Sequence, residues 1–217
     1  MESPIVIAID GPSASGKSTN ARLIAKKLGY IYVDTGAMYR TLAWYCLQNR
    51  IDVDDEKAVA ATVRKWKTML VNQDGNARLL VGGYYPETEI RTSETSAAVP
   101  KVAAGPKVRD WMKKKQRECI QFGNLVMEGR DIGTNVFPET DFKFYLDASL
   151  EERNRRREAD GVQENLAERD KRDSQRKAAP LMIALGATLI NNSGETPEET
   201  SNRIIAEFHK KQAELTR

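Results

Sequence analysis

Ile5-Val6-Ile7-Ala8-Ile9-Asp10-Gly11-Pro12-Ser13-Ala14-Ser15-Gly16-Lys17-Ser18 is the stretch that decides how this chain is read. Its first five residues are a continuous apolar run, which predicts a strand buried on both faces, as in a parallel sheet. Gly11 to Ser18 then fits G-x-x-x-x-G-K-[ST] without a mismatch. Glycines let the backbone wrap closely around phosphates with consecutive N–H groups pointing inward. The positive end of a following helix adds attraction for anions. In such a loop Lys17 reaches the β- and γ-phosphates, and the Ser18 hydroxyl ligates Mg²⁺. The reading is a site for a nucleoside triphosphate with Mg²⁺, built from Gly11, Pro12, Ser13, Ala14, Ser15, Gly16, Lys17, Ser18 and Thr19.

Working outward, a helix is predicted from about Lys17 to Leu28, with Ala21, Ile24, Ala25 and Leu28 on one face and Gly29 as its stop. Tyr30–Val33 reads as a second strand, and Thr35–Gln48 as a second helix. This β-turn-α-β-α beginning predicts an α/β fold with a parallel sheet and right-handed crossovers. The middle differs. A helical stretch near 55–67 precedes two candidate strands, Thr68–Asn72 and Ala77–Val81, around Asp74-Gly75, a hairpin signal. A helical region spans about 93–122, interrupted at Gly105-Pro106. Strands return at Leu125–Met127, Phe142–Leu146 and Ala187–Asn191, and an amphipathic helix runs over about Pro197–Glu214.

At 217 residues the chain is long enough for one domain with a proper core and a small insert. Its 34 basic and 31 acidic residues leave a net charge of +3, far less concentrated than a nucleic-acid binder needs. No apolar run reaches the length of a membrane span, and an acidic residue stands where a signal peptide has its basic cluster, so a cytoplasmic protein is expected. A single histidine, His209, nearly excludes histidine triads and multi-histidine metal sites. Cys46 and Cys119 read as reduced, buried thiols. The chemistry therefore falls to Lys, Arg, Asp, Ser and Thr.

What accepts the phosphoryl group is suggested by the arginines. A kinase for a small anionic acceptor must hold a second phosphate opposite the first, whereas a GTPase or motor ATPase positions a water. Arg40 begins the second helix, Arg91 and Arg109 lie in or beside the insert, and Arg130 directly follows a core strand, where α/β sheets place ligands. Isolated arginines suit bidentate phosphate recognition, although each also reads as a solvated surface residue. The dense run Arg153, Arg155, Arg156, Arg157, Arg169, Arg172 and Arg176 reads either as a solvated helix face balanced by Glu and Asp or as a lid over the triphosphate. An RNA-binding reading is weaker, because no aromatic platform accompanies these arginines.

Taken together, the segments Ile7–Ser13, Gly16–Thr19, Asp34–Arg40, Glu89–Thr92, Val102–Ala104, Glu128–Thr134, Val136–Pro138 and Arg169–Asp173, with Arg176 and Ala179–Leu181, resemble the bacterial cytidylate kinases, a family of nucleoside monophosphate kinases. The D-[ST]-G-A-x-Y-R and G-R-D-x-G-T segments are the specific part, and the resemblance spans nearly the whole chain. It implies a P-loop fold with a core of about 1–38, 103–150 and 178–217, a nucleoside-monophosphate insert of about 39–102 and a lid of about 151–177. It implies transfer of the γ-phosphoryl of ATP to CMP or dCMP, with UMP, AMP or dTMP as rival acceptors, by an enzyme expected to be a monomer without nucleic-acid or membrane partners. By the same resemblance Arg40 and Arg130 hold the acceptor phosphate, and Arg109 and Asp131 read the cytosine ring with Thr35 nearby. Arg169 and Asp173 contact the ribose hydroxyls, Arg157 serves ATP, and Arg176 touches the acceptor and the transferring phosphoryl, joining Lys17 and Arg130 in the chemistry. One departure stands out: Pro100 occupies the place of a family serine at the base, and Ser96, one turn earlier, is the nearest hydroxyl in sequence.

Overall fold

The computed structural model describes residues 3–159, 161, 165–176 and 178–216. The chain runs β1 (Val6–Asp10), α1 (Lys17–Leu28), β2 (Ile31–Asp34), α2 (Thr35–Gln48), α3 (Glu56–Lys65), β3 (Thr68–Gln73), β4 (Asn76–Val81), α4 (Ser93–Val102), α5 (Pro106–Glu118), β5 (Leu125–Gly129), β6 (Lys143–Asp147), α6 (Leu150–Ala159), α7 (Leu166–Ser174), β7 (Thr188–Asn191) and α8 (Pro197–Leu215). The strands form one sheet in the order β3-β4-β2-β5-β1-β6-β7. Only the β3–β4 pair is antiparallel. The predicted α/β fold with a central parallel sheet is therefore present. The hairpin joins the edge of that sheet at β2, through the pairing of Tyr32 with Asn76.

The apolar run before the P-loop is buried along its whole length because β1 lies between two parallel neighbours with helices on both faces. One face carries Leu42, Cys46, Val108, Met112, Leu125 and Met127 among its buried side chains. The opposite face joins Ile7, Ile9, Ile24, Phe144, Ile204 and Phe208 beneath α1 and α8. Local signals stop and start the helices. Gly29, in the left-handed conformation, ends α1; the Asp34 carboxylate caps α2; and Thr196 with Glu199 forms a capping box on α8. Both cysteines are free and buried, as expected. Among the described residues, no helix is long and apolar enough to cross a membrane.

Two elements have no forerunner in the sequence reading. A 3₁₀ turn covers Glu89–Arg91, and a single π-helical turn covers Ile132–Val136 directly after β5. Parallel register brings Asp10 level with Gly129 and Asp34 level with Glu128. The carboxyl ends of β1, β2 and β5 therefore open on one side of the sheet, where this sheet class holds its ligands.

Candidate active site

The P-loop leaves β1 at Gly11, where a Cβ would lie 2.0 Å from the Leu146 carbonyl oxygen, so only glycine fits. Gly16, at φ 86°, occupies the N-cap of α1 in a left-handed conformation and turns the chain into the helix. Lys17 is buried and folds back on the loop, its Nζ donating to the Pro12 carbonyl at 2.5 Å and the Ser15 hydroxyl at 3.4 Å. Burial, with the charge of Arg130 next in weight, draws the Lys17 ammonium well below its usual range. Ser18 lies beside Glu128, the acidic side chain of β5, whose carboxylate accepts from the Tyr32 hydroxyl at 2.9 Å. Burial, reinforced by Asp34, raises the Glu128 carboxyl, and Lys17 opposes the rise. Thr19 is exposed on the outer side of α1.

The arginines of α6 reach the same loop. Arg157 donates to the Ser13 hydroxyl at 3.1 Å, and Arg153 to the Ser13 carbonyl at 3.3 Å and to Asp170 at 2.6 Å. Arg156 bridges Glu152, the Ala14 carbonyl and Asn192, whose amide donates to the Ser15 carbonyl at 3.1 Å. Part of the run is nevertheless a solvated face, as with Arg155 and Arg172. Residues 160, 162–164 and 177 of the expected lid lie outside the described residues.

Across from the P-loop, guanidinium groups stand paired with carboxylates. Arg40 binds Asp34 at 2.8 Å. Arg109, buried, donates to Asp131 at 3.1 Å and to the Ala103 carbonyl at 3.2 Å, and its guanidinium lies over the Tyr39 ring. Arg130 donates from Nε to Asp173 at 3.0 Å, and Arg176 donates to the other oxygen of the same carboxylate. Burial, with Arg109 and Arg130 close by and Asp173 in opposition, pulls the Arg176 guanidinium below its ordinary value. Arg130 and Arg169 both lie near enough for their charges to act on Lys17, which ties this cluster to the P-loop. Thr35 donates to the Glu128 carbonyl at 2.7 Å. Pro100 is half-buried inside α4, and Ser96 is exposed.

Two carboxylates central to this geometry were not singled out from the sequence. Glu128 stands at a strand's carboxyl end, the position whose meaning was read only for its neighbour Arg130. Asp10 occupies the matching place on β1 and accepts the backbone N–H groups of Ile132 at 2.8 Å and Gly133 at 2.7 Å. Burial lifts its carboxyl to about 6, against the lowering effect of those two bonds. Through Asp10 the strand that launches the P-loop holds the turn that presents Arg130 and Asp131.

Comparison with known proteins places the sequence. A family model described as cytidylate kinase matches residues 7–210. The cytidylate kinase of Geobacillus sp. strain WCH70 is 40% identical, with 94% of this chain and 96% of the relative aligned. That of Geobacillus thermodenitrificans strain NG80-2 is 42% identical over the same shares, and that of Bacillus subtilis strain 168 is 38% identical, with 97% of this chain and 99% of the relative covered. Matched almost end to end in sequence, the chain belongs to the cytidylate kinase family, the ATP-dependent nucleoside monophosphate kinases that phosphorylate CMP.

Proposed function

We propose that phosphoryl transfer from ATP to CMP or dCMP is divided between two halves of one cleft: Gly11–Thr19 with Arg157 hold the donor, and Thr35, Arg40, Arg109, Arg130, Asp131, Arg169, Asp173 and Arg176 hold the acceptor. The observation that carries this reading is that α7 bridges the two sets of residues: Asp170 accepts from Arg153, which also donates to the Ser13 carbonyl, and Asp173 accepts from Arg130 and Arg176, so cations of both halves meet in one place. Two polyanions meeting end to end need that concentration of positive charge, and transfer between them is mainly a matter of positioning and charge stabilisation. Lys17, Arg130 and Arg176 supply the charge at the transferring group. The acceptor is already a phosphate anion, so no general base is required. Asp131 accepts from the exocyclic amine of cytosine, which donates where uracil offers a carbonyl. Segment 39–102 belongs to the acceptor side, and 151–177 is the lid, which excludes water through α6.

Ser18 and Glu128 lie side by side with oxygen ligands that suit a hard divalent ion, and these two residues would hold Mg²⁺. When bound, Mg²⁺ screens the charge of the ATP phosphates. Two free buried thiols accord with a reducing cytosol.

Steady-state rates with CMP, dCMP, UMP, AMP and dTMP test the assignment. The highest kcat/KM is expected for CMP or dCMP, and a better rate with any other acceptor would overturn it.

A further inference from the structure

The π-helical turn after β5 carries a second polar link that the division above leaves unused. Within it the N–H groups of Asn135 and Val136 both donate to the Asp131 carbonyl, at 2.9 and 3.1 Å. This winding lays the Asn135 side chain against that of Asp131, and Nδ2 donates to Asp131 Oδ2 at 2.9 Å. On its other side Asn135 Oδ1 accepts from Lys113 Nζ, on α5, at 3.1 Å. The orientation of the amide is forced from both ends. An ammonium only donates, so it must face the amide oxygen; an ionised carboxylate only accepts, so it must face the amide nitrogen. Asp131 Oδ2 thus receives two donors, Asn135 and Arg109, the latter at 3.1 Å. Both bonds fall on the same carboxylate oxygen.

We propose that Asn135, itself oriented by Lys113, is a positioning residue that fixes the Asp131 carboxylate with one oxygen committed and the other presented to the exocyclic amine of the acceptor base. This rests on the reading of Asp131 as the base reader. The physical reason is the appetite of a guanidinium for both oxygens of a carboxylate. With Arg109 as its only partner, Asp131 can swing into a bidentate pair, and its acceptor capacity is then consumed inside the protein. Asn135 occupies Oδ2 from the other side and prevents that rotation. An oxygen so held rewards an amine and repels the carbonyl that uracil offers at the same place, so the amide acts on discrimination more than on phosphoryl transfer.

The test compares CMP with UMP for Asn135→Ala, Asn135→Asp and Lys113→Met, with Asp131→Ala measured alongside. Asn135→Asp keeps the shape and the Lys113 partner but turns the donor into an acceptor and sets a second negative charge against Asp131. For both Asn135 variants KM for CMP is expected to rise about tenfold, the scale of one charge-assisted hydrogen bond, with KM for ATP and kcat little changed. The ratio of kcat/KM for CMP over UMP should fall about tenfold, and about threefold for Lys113→Met. A purely structural role would lower the melting temperature and leave that ratio alone. Should the ratio stay within twofold of the parent in the Asn135 variants while Asp131→Ala destroys it, the positioning role is wrong and the base reader stands. Should Asp131→Ala preserve it too, both fall. If the Asn135 variants do not fold, Lys113→Met decides, and an unchanged ratio there refutes the relay.

Discussion

The two halves proposed for the cleft are built from different materials. The donor half is local: Gly11 to Lys17 form one loop whose shape is set by a close approach at Gly11 and a left-handed residue at Gly16, with Lys17 tucked against its own loop carbonyl. The acceptor half is assembled from distant segments, and its cations stand in ion pairs: Arg40 with Asp34, Arg109 with Asp131, and Arg130 and Arg176 sharing Asp173. A backbone cradle is committed to one shape once the chain folds. A set of ion pairs can exchange partners, because a guanidinium has five donors and each carboxylate uses only some of them. On the proposed division, the difference teaches that donor-phosphate binding is a property of a short segment, whereas acceptor recognition belongs to the folded whole.

If the contrast is right, substitutions on the two sides should separate in their kinetics. Lys17→Ala removes the cation that the loop itself supplies and should lower kcat at least 10³-fold, the scale of losing a charge that stabilises the transferring group; CDP formation close to the parent rate would break the donor half of the comparison. Asp131→Ala leaves the buried Arg109 without its carboxylate and should raise KM for CMP about 100-fold while KM for ATP barely moves. An equal rise for both nucleotides would show that the halves are not separate.

The link between the halves can be sharpened with pH. The Asp10 carboxyl lies at about 6 in the folded chain against an ordinary 3.8. The folded state therefore takes up this proton before the unfolded state does. The resulting stability is fully present below the unfolded value and is lost as pH rises through about 6. Relative to Asp10→Asn, which cannot titrate, the parent should gain about 1 kcal/mol between pH 7 and pH 5 and about 2 kcal/mol by pH 4. Denaturant melts of both proteins across that range read the effect, and parallel pH profiles would contradict a buried, lifted carboxyl. The smallest effect is expected at Asp173. Asp173→Asn weakens the hold on Arg130 and Arg176 together, and kcat/KM for CMP should fall about tenfold with KM for ATP unchanged. A larger loss on the ATP side would assign this carboxylate to the donor half.

Legibility in the sequence follows the same division. The buried strand, the P-loop and the helix behind it are written in consecutive residues, so local rules about apolar runs, glycines and helix stops were enough. The break at Gly105-Pro106 appears where α5 begins, and the Asp74-Gly75 hairpin forms as its turn signal says. The hairpin's place on the edge of the main sheet carried no such signal, because pairing Tyr32 with Asn76 depends on where β2 ends up. The π-helical turn at Ile132–Val136 was unreadable for a related reason. Its winding is stabilised from outside by the Asp10 carboxylate, more than 120 residues away in the chain. Glu128 went unremarked because a lone acid at a strand end gains meaning only when Ser18, Tyr32 and Lys17 are seen around it.

By itself the sequence determined that this chain folds as an α/β protein around a phosphate-binding loop, and its spaced motifs pointed to a kinase with a small anionic acceptor. Apolar periodicity, glycine geometry and a fixed G-x-x-x-x-G-K-S spacing act over a few residues, and so survive reading in one dimension. Only the tertiary structure decided which arginine meets which carboxylate, that α6 rests on the P-loop, and that Lys113 and Asn135 stand behind Asp131. Charge pairing depends on distances of a few ångströms between residues tens of positions apart, and those distances exist only once the sheet has brought the strand ends together.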